Sequence, residues 1–223
     1  MATMRALRRG VGSADNFPED VQELQHYFAP PEPGQRVRAI PGAGLDVPIY
    51  LLGSSLFSAT LAAALGLPFA FASHFAPQQL LPALEIYRRN YQPSQAHAQP
   101  YVIVGANLFA ADTDAEGARL FTSAQRQFLN LIRGMPGELE PPVDTLEGEW
   151  TPPEKQHVTQ MTHYSAVGSP QTVAQRLTEI IAETSANELI LTGQIYDHAA
   201  RLRSFEIGAE VMQSLGQTST RHA

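Results

Sequence analysis

The chain has 223 residues, 43% apolar and 17% charged, with 15 Lys and Arg against 22 Asp and Glu for a net charge of −7. That length suits one sizeable core or two small ones and falls short of the ~250 residues of an ordinary eight-stranded barrel, while the acidic balance argues against nucleic acid or a membrane as partner. With no cysteine, disulfides and thiolate chemistry are excluded, and without a bilayer-length apolar run or a signal-peptide pattern a cytoplasmic location is expected.

In chain order, residues 4–10 read as the end of a helix with Arg5, Arg8 and Arg9 on its exposed face. Asn16 to Asp20, with Pro18 early in the first turn, opens a second helix that runs to Phe28. Pro30 to Gly44 is rich in proline and glycine and reads as a loop, with a short extended piece at Arg36 to Ile40. Ile49 to Leu52 is the apolar run of a buried parallel strand. After Gly53-Ser54-Ser55 comes a helix whose Phe57, Leu61, Ala64 and Leu65 recur at helical spacing, stopped by Gly66-Leu67-Pro68. Phe69 to Ala72 is the next strand, ending on Ser73-His74.

A helix is expected from Pro77 to Arg89, bent early at Pro82, and a third strand from Tyr101 to Ala111. Thr113-Asp114-Ala115-Glu116 is a capping-box pattern for a helix to Ile132, closed by Gly134. From Met135 to about His157 five prolines and no apolar period predict a long excursion that could cover an active site. Ser169-Pro170 opens a helix with Val173, Leu177, Ile180 and Ile181 on one face. Glu188 to Thr192 is the fourth strand. A last helix from Asp197 to Leu215 carries Leu202, Phe205, Ile207, Ala209 and Met212, leaving 217–223 as a disordered tail behind a single domain of residues 1–216.

Together, Leu51-Leu52-Gly53-Ser54-Ser55, Leu65-Gly66-Leu67-Pro68, Phe71-Ala72-Ser73-His74-Phe75-Ala76-Pro77, Tyr87 to Ser94, Ala110 to Thr113 and Gly168-Ser169-Pro170 resemble the bacterial luciferase-like flavin-dependent monooxygenases, in their alkanal monooxygenase-like branch. The resemblance implies an α/β fold, a (β/α)8 TIM barrel, of which the four strands here are similar to the fifth to eighth, so a partial barrel lacking its N-terminal half. It implies reduced FMN as cofactor, or a deazaflavin (F420) in some branches. The implied reaction oxidises an aldehyde or other small organic substrate with dioxygen, a flavin reductase supplying the reduced FMN. Half a barrel leaves open strand edges, so pairing with another copy or with the missing half is expected, and the chain alone is expected to be weakly active or inactive. A catalytically inactive, flavin-binding or dimerising module and a deazaflavin-dependent reductase remain as alternatives.

Ligands of α/β sheets lie at the carboxyl ends of the strands. Gly53, Ser54 and Ser55 stand where a helix starts after a strand, suited to a flavin phosphate, although an ordinary N-cap also explains the serines. Ser73 is a further cofactor candidate. His74 is the catalytic candidate because its pKa range gives both protonation states near neutrality; helix capping or packing on Phe75 is the competing reading. Asn107 points either into the barrel mouth or toward a loop, and Gly168-Ser169 ranks below the first helix start. The other histidines show no metal-ligand spacing.

Overall fold

The computed structural model describes Ala6, Leu7 and residues 16–220, with side chains to residue 216. The helix expected over 4–10 therefore lies, but for two residues, outside the described residues, as does the end of the expected tail. The chain divides into two compact units, Met1–Tyr50 and Leu51–Ala223.

In the first unit α1 (Phe17–Phe28) starts after Asn16, whose backbone carbonyl accepts from Asp20 N at 2.9 Å, and Pro18 sits in the first turn, where its missing N–H is harmless. The loop that follows folds back on the helix end through Gly44 N to Phe28 O at 2.9 Å. Gln35 organises it by donating to Val37 O at 2.9 Å and accepting from Glu32 N at 3.1 Å. The extended piece expected at Arg36 to Ile40 is absent; these side-chain bonds replace a ladder.

The second unit is a parallel sheet of five strands, β1 (Leu51–Gly53), β2 (Phe69–Phe71), β3 (Val102–Ala110), β4 (Ser165–Gly168) and β5 (Glu188–Thr192). Ladders β1–β2, β2–β3 and β3–β5 reproduce the order of four consecutive barrel strands. β3 is the axis of the sheet: all nine residues are buried, as a strand covered on both faces should be. One edge pairs with β5 over Ile103–Asn107. The other is shared in succession, with β2 along Val102–Val104 and β4 along Asn107–Ala110. The sequence reading misses β4 because four residues with only two apolar ones carry no periodic signal.

Helices α2 (Leu56–Leu65) and α3 (Leu80–Asn90) pack on each other beside β1 and β2. The stripe expected to be buried on α2 is not the one used: Phe57 is 60% exposed, and Ala59, Ala62 and Ala63 face inward. Their small side chains allow close approach to α3. Gly66 ends α2 in the left-handed region, φ 60°, where a side chain would also strike Gln92 O. Residues Pro77–Gln79 form a single 3-10 turn, and α3 begins after it, so Pro82 falls in the first turn and no bend is needed. Fully buried Tyr87 ties the sheet to its loops by donating to Leu67 O at 2.9 Å and accepting from Tyr101 N at 3.1 Å; burial pushes its phenol up to about 12.

Beyond β3, α4 (Asp114–Ile132) is capped by Thr113 Oγ1, which accepts from Glu116 N at 3.2 Å. The excursion is shorter than expected because α5 (Pro152–Met161) begins within it and takes its last six residues. Pro152 and Pro153 look like breakers, yet at the start of a helix they remove N–H groups that have no intrahelical acceptor anyway. Glu154 accepts from Thr151 N at 2.7 Å and from Arg133 Nε at 2.7 Å. These bonds hold its carboxyl down from 4.5 to about 2, Arg133 first and the Thr151 backbone second. A lowered folded-state pKa adds stability that is complete above pH 4.5 and lost as pH falls toward 2. Glu154→Gln should therefore flatten the acid side of the stability curve in that window, as urea melts at stepped pH would report; an unchanged slope would dissociate the carboxylate from the docking of α5.

Helix α6 (Pro170–Thr184) buries Val173, Leu177 and Ile180, and α7 (His198–Thr220) closes the layer. On α7 the buried positions are Ser204, Ile207, Gly208 and Val211, while Leu202 and Phe205 are exposed. Ser204 Oγ accepts from Ala110 N at 2.9 Å, satisfying a β3 donor and fixing which face turns inward. Among the described residues no helix is long and apolar enough to cross a membrane.

Candidate active site

The carboxyl end of the sheet is shaped by the division of one β3 edge between two strands. Where β2 peels away, the carbonyl of Gly105 would be left without a partner. Ser73, with no exposed surface, donates its hydroxyl to that oxygen at 2.6 Å. Two residues on, Asn107 is buried and donates through Nδ2 to His74 O at 2.6 Å and to Ser165 Oγ at 3.2 Å. Asn107 thus bridges the end of β2 and the start of β4. The amide expected to face either the barrel mouth or a loop does both, because it lines the cavity described next while its donors hold backbone and hydroxyl.

His74 lies against Gly105. A Cβ built on that glycine would stand 2.6 Å from His74 Nδ1, so the absence of a side chain there is what admits the ring. Phe75 meets it edge to face at 5.1 Å. Neither ring nitrogen has a hydrogen-bond partner among the described residues, and burial lowers the imidazole pKa from 6.5, leaving it neutral at pH 7.

Beside the ring is a cavity of about 310 Å³, within the range typical of small-molecule sites. It is lined by His74 and Phe75 after β2, by Asn107 of β3, and by Thr192 and Gln194 at the end of β5. Gln127, Phe128 and Leu131 of α4 also line it, with Pro136 and Gly137 of the excursion. The excursion is held to α4 by Arg126, which pairs with Glu140 at 2.7 Å and Glu149 at 3.2 Å. Sequence reasoning singles out His74 and weighs Asn107, but it misses Gln127, Thr192 and Gln194. An amide on a long amphipathic helix carries no local signal until the helix is docked.

Gly53, Ser54 and Ser55 lie at the neighbouring strand end, joined to the His74 segment by Ala72 N to Gly53 O at 2.9 Å, and they do not line the cavity. Gly53 is required sterically: a Cβ would collide with the Ser58 hydroxyl. Ser55 is the N-cap of α2, its Oγ accepting from Ser58 N at 3.4 Å. The N–H groups of Leu56 and Phe57 at the start of α2 have no intrahelical acceptor, and Ser54 stands next to them with its hydroxyl unengaged. A dianion fits this end of the helix by charge and by donor count. At the second helix start Ser169 caps α6, and Asp114 Oδ1 accepts from Ser169 N at 2.7 Å, which with further bonds from Thr172 and Ser169 holds that carboxyl below its usual range. A carboxylate on these donors leaves little for an anionic ligand. No group of three or more potential metal ligands occurs among the described residues.

Against known proteins, residues 3–188 match the family model of the luciferase-like monooxygenases. A luciferase-like monooxygenase of Escherichia coli strain K12 is 48% identical over 214 residues, 96% of this chain and 64% of that protein. The uncharacterized protein YvbT of Bacillus subtilis strain 168 is 46% identical over 95% of this chain and 63% of its own length. The chain thus spans just under two thirds of these relatives. In solved structures, apo-MsnO8 superposes with a TM-score of 0.78 at 29% identity, covering 90% of this chain and 61% of that one. The FMN complex of the oxygenating constituent of 3,6-diketocamphane monooxygenase from Pseudomonas putida reaches 0.53 at 21% identity, over 79% of this chain and 52% of that one, a likeness of fold.

Proposed function

The chain belongs to the luciferase-like monooxygenase family, and on that footing we propose that it serves a flavin-dependent oxidation in which reduced FMN and dioxygen act on an aldehyde or other small organic substrate. The observation that carries the reading is the convergence, at the carboxyl end of one parallel sheet, of a partnerless neutral imidazole, an apolar-walled cavity and, after the adjacent strand, a helix start whose first N–H groups have no intrahelical acceptor.

Each part has a task in this reading. Ser54 and the first N–H groups of α2 hold the FMN phosphate, with Ser55 capping the same turn and Gly53 permitting its close return past Ser58. Ser73 acts from behind, through the strand end that it fixes to Gly105. Bound as reduced FMN, the cofactor supplies the electrons for oxygen chemistry. Neutral His74 accepts or passes a proton at a ring nitrogen, and Phe75, Phe128, Leu131 and Pro136 keep water from the reacting atoms. A flavin reductase that delivers the reduced cofactor belongs to the proposal, as does self-association through the outer edges of β1 and β5, where Leu52 and Ile190 are 67% and 51% exposed.

Titration of the purified chain with FMN, riboflavin and the deazaflavin F420, followed by flavin fluorescence, tests it. FMN should bind at micromolar concentration and riboflavin at least about tenfold more weakly, the difference being the phosphate. The double variant Ser54→Ala, Ser55→Ala should remove that difference. Preference for F420 would move the chain to deazaflavin-dependent reduction, and equal affinity for FMN and riboflavin would refute the phosphate site at α2.

A further inference from the structure

We propose that the cavity reads its ligand through two amides of opposite polarity, Asn107 presenting an acceptor and Gln127 a donor, and so selects a compact, largely apolar substrate that carries both a hydroxyl or N–H group and a carbonyl oxygen. The inference rests on the flavin-dependent oxidation proposed above and narrows its substrate.

The wall is largely carbon, from Phe75, Phe128, Leu131 and Pro136, so its few polar groups decide what binds. Some of them adapt. The Thr192 hydroxyl rotates and the His74 imidazole exchanges tautomers, so either can meet a donor or an acceptor. Asn107 cannot. Its Nδ2 donates at 2.6 Å to His74 O, which only accepts, and at 3.2 Å to Ser165 Oγ, whose own proton goes to Thr162 O at 2.7 Å. Turning the amide over would set oxygen against oxygen at both contacts. With both amide protons used, Oδ1 is the end left to the cavity; it accepts from no group among the described residues and is not sealed from solvent.

Gln127 is fixed in the opposite sense. Its Oε1 is shut off from solvent, so the amide meets the cavity through Nε2, a donor. Turning this amide would bury two unpaired N–H groups where one unpaired oxygen now lies. A plain alkanal satisfies Gln127 through its carbonyl, but it displaces water from Asn107 Oδ1 and returns no donor. A substrate with a second, donating group satisfies both. A site built on such bonds rejects the analogue that lacks one far more strongly than a hydrophobic wall rejects a changed outline.

Hydroxyacetophenone, methylacetophenone and ethylphenol share one outline and carry, in turn, both groups, the carbonyl alone and the hydroxyl alone. As meta and para isomers they cover two spacings, and they serve as probes in isothermal titration of the purified 223-residue chain, alone and with FMN. In at least one isomer series hydroxyacetophenone should bind wild type at least about tenfold more tightly than either analogue. Asn107→Leu should bring its advantage over methylacetophenone near one and leave that over ethylphenol; Gln127→Met should do the reverse. Asn107→Asp, which keeps an acceptor, should retain both. Thermal melts verify folding, and if Asn107→Leu does not fold, the wild-type ratios with Gln127→Met and Asn107→Asp still decide. Equal affinities in wild type, undetectable binding of all probes, or variants that lower both ratios alike would overturn the proposal. So would ratios that vanish once FMN is bound, because the flavin ring would then be what the two amides meet. Failure of the cofactor reading is separate, since it appears as absent FMN binding with both ratios intact.

Discussion

Gly117→Ala should destabilise the second unit by more than ~3 kcal/mol, lowering its melting temperature by roughly 6–12 °C, although alanine is the better helix former. Two effects compete. In the interior of α4 the replacement gains about 1 kcal/mol of helix propensity. Against it, the new Cβ would stand 2.6 Å from both Cα and N of Gly168 and 2.9 Å from Phe109 O. All three are backbone atoms of strands in the sheet, so no side chain can rotate away. The first turn of α4 would have to lift, and with it Asp114, whose carboxylate reaches across to Ser169 N at 2.7 Å. Gly216→Ala, on α7 where a Cβ meets nothing within 4 Å, is the matched control. A loss in Gly117→Ala no larger than in this control would show that α4 does not rest on Gly168 as closely as the geometry has it.

That contact illustrates how far the sequence could be read. Strands β1, β2, β3 and β5 were legible because buried parallel strands are short apolar runs bounded by turn residues, and Thr113, Ser55 and Ser169 announced three helix starts by their side chains. The part of the site that depends on register was not legible. That Asn107 would bridge two strands sharing an edge follows from β4, and β4 has too few apolar residues to be seen. Proline misled once, at Pro152-Pro153, because a breaker in a helix interior is a good starter in its first turn. The inward faces of α2 and α7 are not legible for a related reason. Small residues, Ala59, Ala62 and Ala63 on α2 and Ser204 and Gly208 beside Ile207 and Val211 on α7, gain burial by permitting close approach, while Phe57, Leu202 and Phe205 stay outside. Hydrophobicity ranks residues by what they gain from burial; it does not say how near two backbones must come.

The same logic governs the site, where Gly105→Ala should cost the imidazole its place. The added methyl would lie 2.6 Å from His74 Nδ1 and 3.3 Å from Phe71 O. The backbone oxygen can yield by a few tenths of an ångström within a ladder that otherwise favours alanine over glycine by about 0.5–1 kcal/mol. The ring cannot share the space, but it is the end of a rotatable side chain, so it leaves. Stability should therefore change by less than about 1 kcal/mol while the cavity wall is rebuilt. The imidazole itself reports the move. In wild type, burial holds its pKa below 6.5, so the unfolded chain takes up the proton first and stability falls as pH drops from 6.5 through the folded-state value. Expelled into water, His74 should titrate close to 6.5 in the variant, seen as a shift of its ring resonances in an NMR pH series, and this part of the acid sensitivity should vanish. In a His74→Ala background the same Gly105→Ala change should leave FMN binding as it was, because the two residues act as one unit. An unshifted His74 titration in Gly105→Ala would mean that the ring does not rest on the glycine, and the neutral, partnerless imidazole at the centre of the proposed chemistry would have to be sought in another rotamer.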